Sequence, residues 1–91
     1  MDAKARIRLS KGMSYLLRHA AEKEGIPISG DGFVKVSDVL KFRRVRGGGY
    51  TARDVEDCVA YDQENGKGRF KLEMRNGGTD HRTGVYMVLN T

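Results

Sequence analysis

At 91 residues the chain has room for one domain and a single modest core. Hydrophobic residues make up 38% and charged residues 32%, too apolar for a disordered tail, and no apolar run approaches the roughly 20 residues that cross a bilayer, so no membrane partner is expected. Lys and Arg outnumber Asp and Glu by 17 to 12, a net charge of +5, which points to an anionic partner, nucleic acid first, although solubility alone also accounts for it until the placement of the charge is known.

The N-terminal run Met1-Asp2-Ala3-Lys4-Ala5-Arg6 is charged and has no signal-peptide pattern. A first helix is predicted from Leu9 to Lys23. Leu9, Met13, Leu16, Leu17 and Ala20 make one apolar face, and Gly25 and Pro27 stop the helix. The turn Ser29-Gly30-Asp31-Gly32 leads into a short extended stretch, Phe33-Val34-Lys35. Ser37 is then placed to cap a short helix through Phe42, with Val39 and Leu40 facing inward. The basic, glycine-rich segment Arg43 to Tyr50 reads as a flexible loop.

Thr51, with Asp54 three residues on, predicts a capped third helix whose buried face is Ala52, Val55, Cys58 and Val59. Cys58 is the one cysteine and is read as a core residue. It has no partner at metal-ligand spacing, so no metal is expected, and a reduced compartment, cytoplasm or nucleus, follows. After Asn65-Gly66 come two strands, Arg69–Arg75 and Gly84–Leu89. In the first, Phe70, Leu72 and Met74 alternate with Arg69, Lys71, Glu73 and Arg75, the period of a half-buried strand. Three helices followed by a C-terminal β-hairpin make an α+β, winged-helix-like fold, expected to fill residues 1–91 as one lobe and to be a monomer.

A winged helix that reads duplex DNA needs basic or amide side chains on its third helix. Here that helix carries Asp54, Glu56, Asp57, Asp62 and Glu64 against a lone Arg53, which argues against a DNA groove. The positive charge lies in three other groups. Lys4, Arg6 and Arg8 lead into the first helix, which carries Lys11 and Arg18 on one face with Ser14 and Tyr15 between them. Arg43, Arg44 and Arg46 sit in the loop, and Lys67, Arg69, Lys71 and Arg75 run along the first hairpin strand. Taken singly, each group reads first as a solvated charged surface. If the hairpin packs beside the first helix, Arg18 and Arg69 converge, and two guanidiniums with the adjacent His19 form a phosphate-handling site. The RNA-contacting residues expected on this reading are Arg8, Lys11, Ser14, Arg43, Arg44, Arg46, Lys67 and Lys71. Tyr50 is the best candidate for stacking on a base, Tyr61 and Tyr86 are placed at the core edge, and His81 reads as solvated.

Leu9-Ser10-Lys11 followed by Leu16-Leu17-Arg18-His19 resembles the opening helix of the RNA 2′-phosphotransferase family. Asp31-Gly32-Phe33-Val34 with Val39-Leu40, and Lys67-Gly68-Arg69-Phe70, are similar to that family's next motifs in the same order. The resemblance implies an N-terminal winged-helix RNA lobe joined to a C-terminal NAD⁺-binding lobe, and an RNA substrate, tRNA with an internal 2′-phosphate at a splice junction. It implies that the phosphate displaces nicotinamide from NAD⁺ and is then captured by the neighbouring ribose hydroxyl. The products are RNA with a 2′-hydroxyl and ADP-ribose 1″,2″-cyclic phosphate. Of the family's Arg-His-Arg-Arg catalytic set, the first pair maps onto Arg18 and His19 and the third member onto Arg69. The sequence departs from the pattern in having Ala20 where the family has glycine and in a longer segment Arg43–Tyr50. After the last strand only Asn90 matches. The NAD⁺ lobe and the fourth catalytic residue are thus expected outside this chain, which alone is expected to be inactive and to contribute no cofactor-binding residue. Two non-enzymatic readings stay open: a winged helix that binds nucleic acid without chemistry, and a protein-interaction module whose acidic third helix meets a basic partner.

Overall fold

Helix α1 runs Ala3–Tyr15 in the computed structural model, which describes residues 1–65, 68–75 and 84–90. It starts well before Leu9 because Asp2 caps it. The Asp2 backbone is extended, and its carboxylate accepts from the Ala5 N–H at 2.8 Å. The basic residues read as a lead-in are therefore on the helix. Leu9, Met13, Leu16 and Ala20 are buried as the spacing predicts, and Leu17 is half-buried at the core edge.

Past Tyr15 the helix widens into a π turn, Leu16–Ala20, in which the Ala21 N–H reaches back to the Leu16 carbonyl. The end is closed by two bonds, Gly25 N–H to Glu22 O and Ile26 N–H to Ala21 O, around Gly25 at φ 72°. This left-handed cap needs glycine, and Gly25 stops the helix as expected.

Strand β1 is only Val34–Lys35, yet it is not isolated. It pairs antiparallel with β3 (Gly84–Leu89), Val34 opposite Met87. Strand β2 (Phe70–Arg75) pairs with the other edge of β3, from Phe70 opposite Leu89 to Arg75 opposite Gly84. The predicted hairpin thus becomes a three-stranded sheet in the order β1-β3-β2. Along β2, Phe70 is fully buried and Leu72 half-buried, but Met74 is 69% exposed, so the alternation read from the sequence fades toward the strand's end.

Helix α2 (Val36–Val39) starts at Val36 with no side-chain cap, and Ser37, expected to cap it, is exposed. The segment expected to be a flexible loop contains a helical turn, α3 (Arg43–Arg46), pinned by the buried Val45. Helix α4 (Ala52–Glu64) has the predicted capping box. Thr51 Oγ1 accepts from the Asp54 N–H at 3.2 Å, and Asp54 Oδ2 accepts from the Thr51 N–H at 2.9 Å. Val55, Cys58 and Val59 are buried, but Ala52 is exposed because it opens the helix's first turn.

Among the described residues, four helices and a small antiparallel sheet make the α+β architecture. Helices α3 and α4 flank α1, α4 packs on β2, and α2 and the π turn pack on β3. This arrangement sets the β2 entry point beside α1. No helix among the described residues is long and apolar enough to cross a membrane.

Candidate functional site

One face of the first helix carries Lys11 and Arg18, both exposed, with the half-buried Ser14 and Tyr15 between them. His19 joins them from the π turn, where Leu16 and Ala20 point into the core while Arg18 and His19 stay exposed. Together with Arg69 these residues line a cleft of about 300 Å³. The convergence of Arg18 with Arg69, which the sequence made conditional on hairpin packing, is present.

Tyr15 is the aromatic part of the cleft's lining that packs on the core. Its ring stacks on buried Phe42 with centroids 6.4 Å apart, meets the His19 ring edge-on at 5.9 Å, and carries the Arg44 guanidinium 4.1 Å above it. These three contacts limit how far the Tyr15 ring can turn. Among the described residues, neither Lys11 nor Arg18 has a carboxylate partner within salt-bridge distance.

Arg69 is held in place by residues the sequence reading did not select. Asp62, 7% exposed on α4, accepts from the Arg69 backbone N–H at 2.5 Å and from its Nε at 3.1 Å. The Ser10 hydroxyl accepts from Arg69 Nη2 at 3.0 Å. The guanidinium is thereby fixed on its α4 side while the side chain stays 49% exposed. By sequence Asp62 is one of the five acidic residues that argue against a DNA groove. The contrary signal was its register: Val55, Cys58, Val59 and Asp62 follow the helical repeat, so a carboxylate lies on an apolar stripe.

The other expected contact residues are distributed unevenly. Arg8 and Arg44 line a neighbouring groove of about 400 Å³ that shares Lys11 with the cleft and is closed by Gly47, Gly48 and Tyr50. Arg43 is exposed and paired with Glu24 at 3.2 Å. Arg46 and Lys71 are exposed and line neither opening. Lys67 and His81 lie outside the described residues.

Arg75, read as part of a basic strand face with Arg69 and Lys71, is instead folded 4.0 Å over Phe33 and bonded to Asp31 at 2.6 Å and to Glu73. Arg75 first, and then the Ser29 hydroxyl, hold the Asp31 carboxyl well below its usual range. Burial pushes the Cys58 thiol up, away from reactivity. Tyr61, expected at the core edge, lies further out than Tyr50. Tyr50 is half-buried with its hydroxyl donating to the Ala5 carbonyl at 3.2 Å, and Tyr61 is 44% exposed.

The family model described as RNA 2′-phosphotransferase, Tpt1 / KptA family, matches residues 4–89. The chain belongs to this family. A tRNA 2′-phosphotransferase 1 of Danio rerio is 46% identical over 66 residues, which are 72% of this chain and 27% of that protein. The Homo sapiens protein of that name is 40% identical over 73 residues, 80% of this chain and 27% of its own length. A tRNA 2′-phosphotransferase of Saccharomyces cerevisiae is 36% identical over 67 residues, 74% and 28% respectively. The chain therefore spans about a quarter of the length of these relatives. All of the residues that line the cleft lie inside the family match.

Proposed function

We propose that this chain is the winged-helix-like RNA-binding lobe of an NAD⁺-dependent tRNA 2′-phosphotransferase, and that the cleft between α1 and the start of β2 receives the RNA 2′-phosphate. The observation that carries the proposal is the convergence of Lys11, Ser14, Arg18, His19 and Arg69 on one opening. Two guanidiniums and an ammonium suit a phosphate, which offers several oxygens to bidentate donors. Arg18 and Arg69 hold the non-bridging oxygens, Lys11 offsets their charge and Ser14 donates a hydrogen bond. His19, edge-on to Tyr15, donates to a phosphoryl oxygen and moves a proton when the phosphate is displaced from RNA. NAD⁺ supplies the ribose carbon that accepts the phosphate, and is held mainly by a second lobe that also brings the fourth catalytic arginine.

The test is an NMR titration with a short RNA bearing an internal 2′-phosphate and with the same RNA lacking it. The phosphorylated RNA is expected to shift the Arg18, His19 and Arg69 amides more. Equal shifts reject the site. Arg18→Ala is expected to remove the difference and Arg53→Ala to leave it intact; the reverse pattern favours a binding-only module that uses α4. The chain alone is expected to release no nicotinamide from NAD⁺, and measurable release overturns the division of labour between two lobes.

A further inference from the structure

Across Arg69 from the phosphate cleft lies a second recess, of about 330 Å³. Its walls include Arg6, Ile7, Tyr61 and Asn65, and it shares Lys11 and Arg69 with the cleft. Its chemistry is different. Ile7 and Tyr61, 50% and 44% exposed, are among the few large apolar side chains that the described residues leave in water, and both face this one opening. The Arg6 guanidinium lies 3.5 Å over the Tyr61 ring. The Asn65 carboxamide donates its N–H to the Tyr61 carbonyl at 3.0 Å.

A phosphate has no use for an isoleucine and a tyrosine ring. A flat, aromatic, weakly polar group does, because it stacks on the ring and guanidinium and covers the aliphatic wall. The shared wall says where such a group would come from. In a 2′-phosphorylated nucleotide the phosphate is on C2′ of the ribose and the base is on C1′. A phosphate held by Arg69 therefore has its own base one sugar away, within reach of the recess that Arg69 also borders. We propose that this recess binds the nucleobase of the 2′-phosphorylated nucleotide, stacked against Tyr61 and Arg6. The proposal rests on the phosphate-site reading above. Stacking tolerates any base, since each has a π face, so the recess would position the nucleotide without selecting its sequence.

The test uses this chain and three RNAs: one with an internal 2′-phosphate, the same RNA lacking only the base on that nucleotide, and the same sequence without the 2′-phosphate. Affinities are read by fluorescence anisotropy. The unaltered chain is expected to bind the abasic RNA roughly tenfold more weakly than the intact one. Tyr61→Ala is expected to weaken intact RNA binding roughly tenfold, leave abasic RNA binding unchanged, and be rescued by Tyr61→Phe, which keeps the ring. Equal affinity for the intact and abasic RNAs overturns the base recess. So does an equal loss on both RNAs in Tyr61→Ala, or a Tyr61→Phe variant as weak as Tyr61→Ala. The phosphate site is read separately, from the preference for phosphorylated over plain RNA and its loss in Arg18→Ala. A chain that keeps that preference without coupling Tyr61 to the base refutes the recess alone.

Discussion

Arg69 reaches the cleft through Asp62, a residue on another element. The Asp62 carboxylate receives two N–H groups of Arg69, one from the backbone and one from the guanidinium, and is almost wholly buried. In Asp62→Asn one carboxylate oxygen becomes an amide donor facing a donor, which leaves a buried N–H unsatisfied. The expected loss is about 1–3 kcal/mol of stability, read by urea denaturation. A purely structural role stops there. A positioning role also lowers the preference for 2′-phosphorylated over plain RNA several-fold, because Arg69 is no longer held toward the phosphate; an unchanged preference rejects it. Much of this site was legible beforehand. Lys11, Ser14 and Arg18 share a helix face by spacing alone, and that face survives an error in the helix start. The role of Asp62 was not legible in a count of charges, which treats every carboxylate on α4 alike; only its place on the apolar stripe sets it apart.

Among the elements, α3 departs furthest from expectation. A segment with three arginines and a glycine run has no apolar periodicity to advertise a helix, yet Val45 is fully buried and anchors one turn. The turn can approach because α1 presents Gly12 to it. A Cβ at Gly12 would stand 3.0 Å from the Val45 methyl Cγ2 and 3.6 Å from the Arg44 carbonyl oxygen. That close approach helps place the Arg44 guanidinium over Tyr15. Gly12→Val is therefore expected to push α3 outward at a cost of about 1–3 kcal/mol, seen as a lower denaturation midpoint. The Tyr15 ring resonances should shift as Arg44 leaves, and an unchanged Tyr15 environment would show that α3 is placed by Val45 alone. Strand β1 was hidden for a different reason. Its two residues, Val34 and Lys35, were read as extended, but their pairing with β3 depends on a contact distant in sequence, which no local pattern encodes.

Over the whole molecule the charge is sorted. Helix α4 shows Asp54, Glu56, Asp57 and Glu64 at positions that are exposed or partly so. Lys11, Arg18 and Arg69 gather in one cleft, and Arg8 and Arg44 line the groove that continues from it. On the proposed reading, a single strand of RNA laid through cleft and groove would release counterions from each phosphate neutralised there. Its affinity should fall with salt at a slope of about 0.7 per contact on a double-logarithmic plot. The two openings should then contribute in separable ways. If Arg44 meets the RNA backbone as proposed, Arg44→Ala is expected to lower that slope by about 0.7 and to weaken phosphorylated and plain RNA alike. Arg18→Ala is expected to spare plain RNA and weaken the 2′-phosphorylated RNA until the two bind equally. Anisotropy titrations at several salt concentrations, run on both RNAs and both variants, check this directly. If Arg44→Ala discriminates between the RNAs while Arg18→Ala does not, the groove and not the cleft holds the 2′-phosphate, and the assignment of Arg18, His19 and Arg69 falls with it.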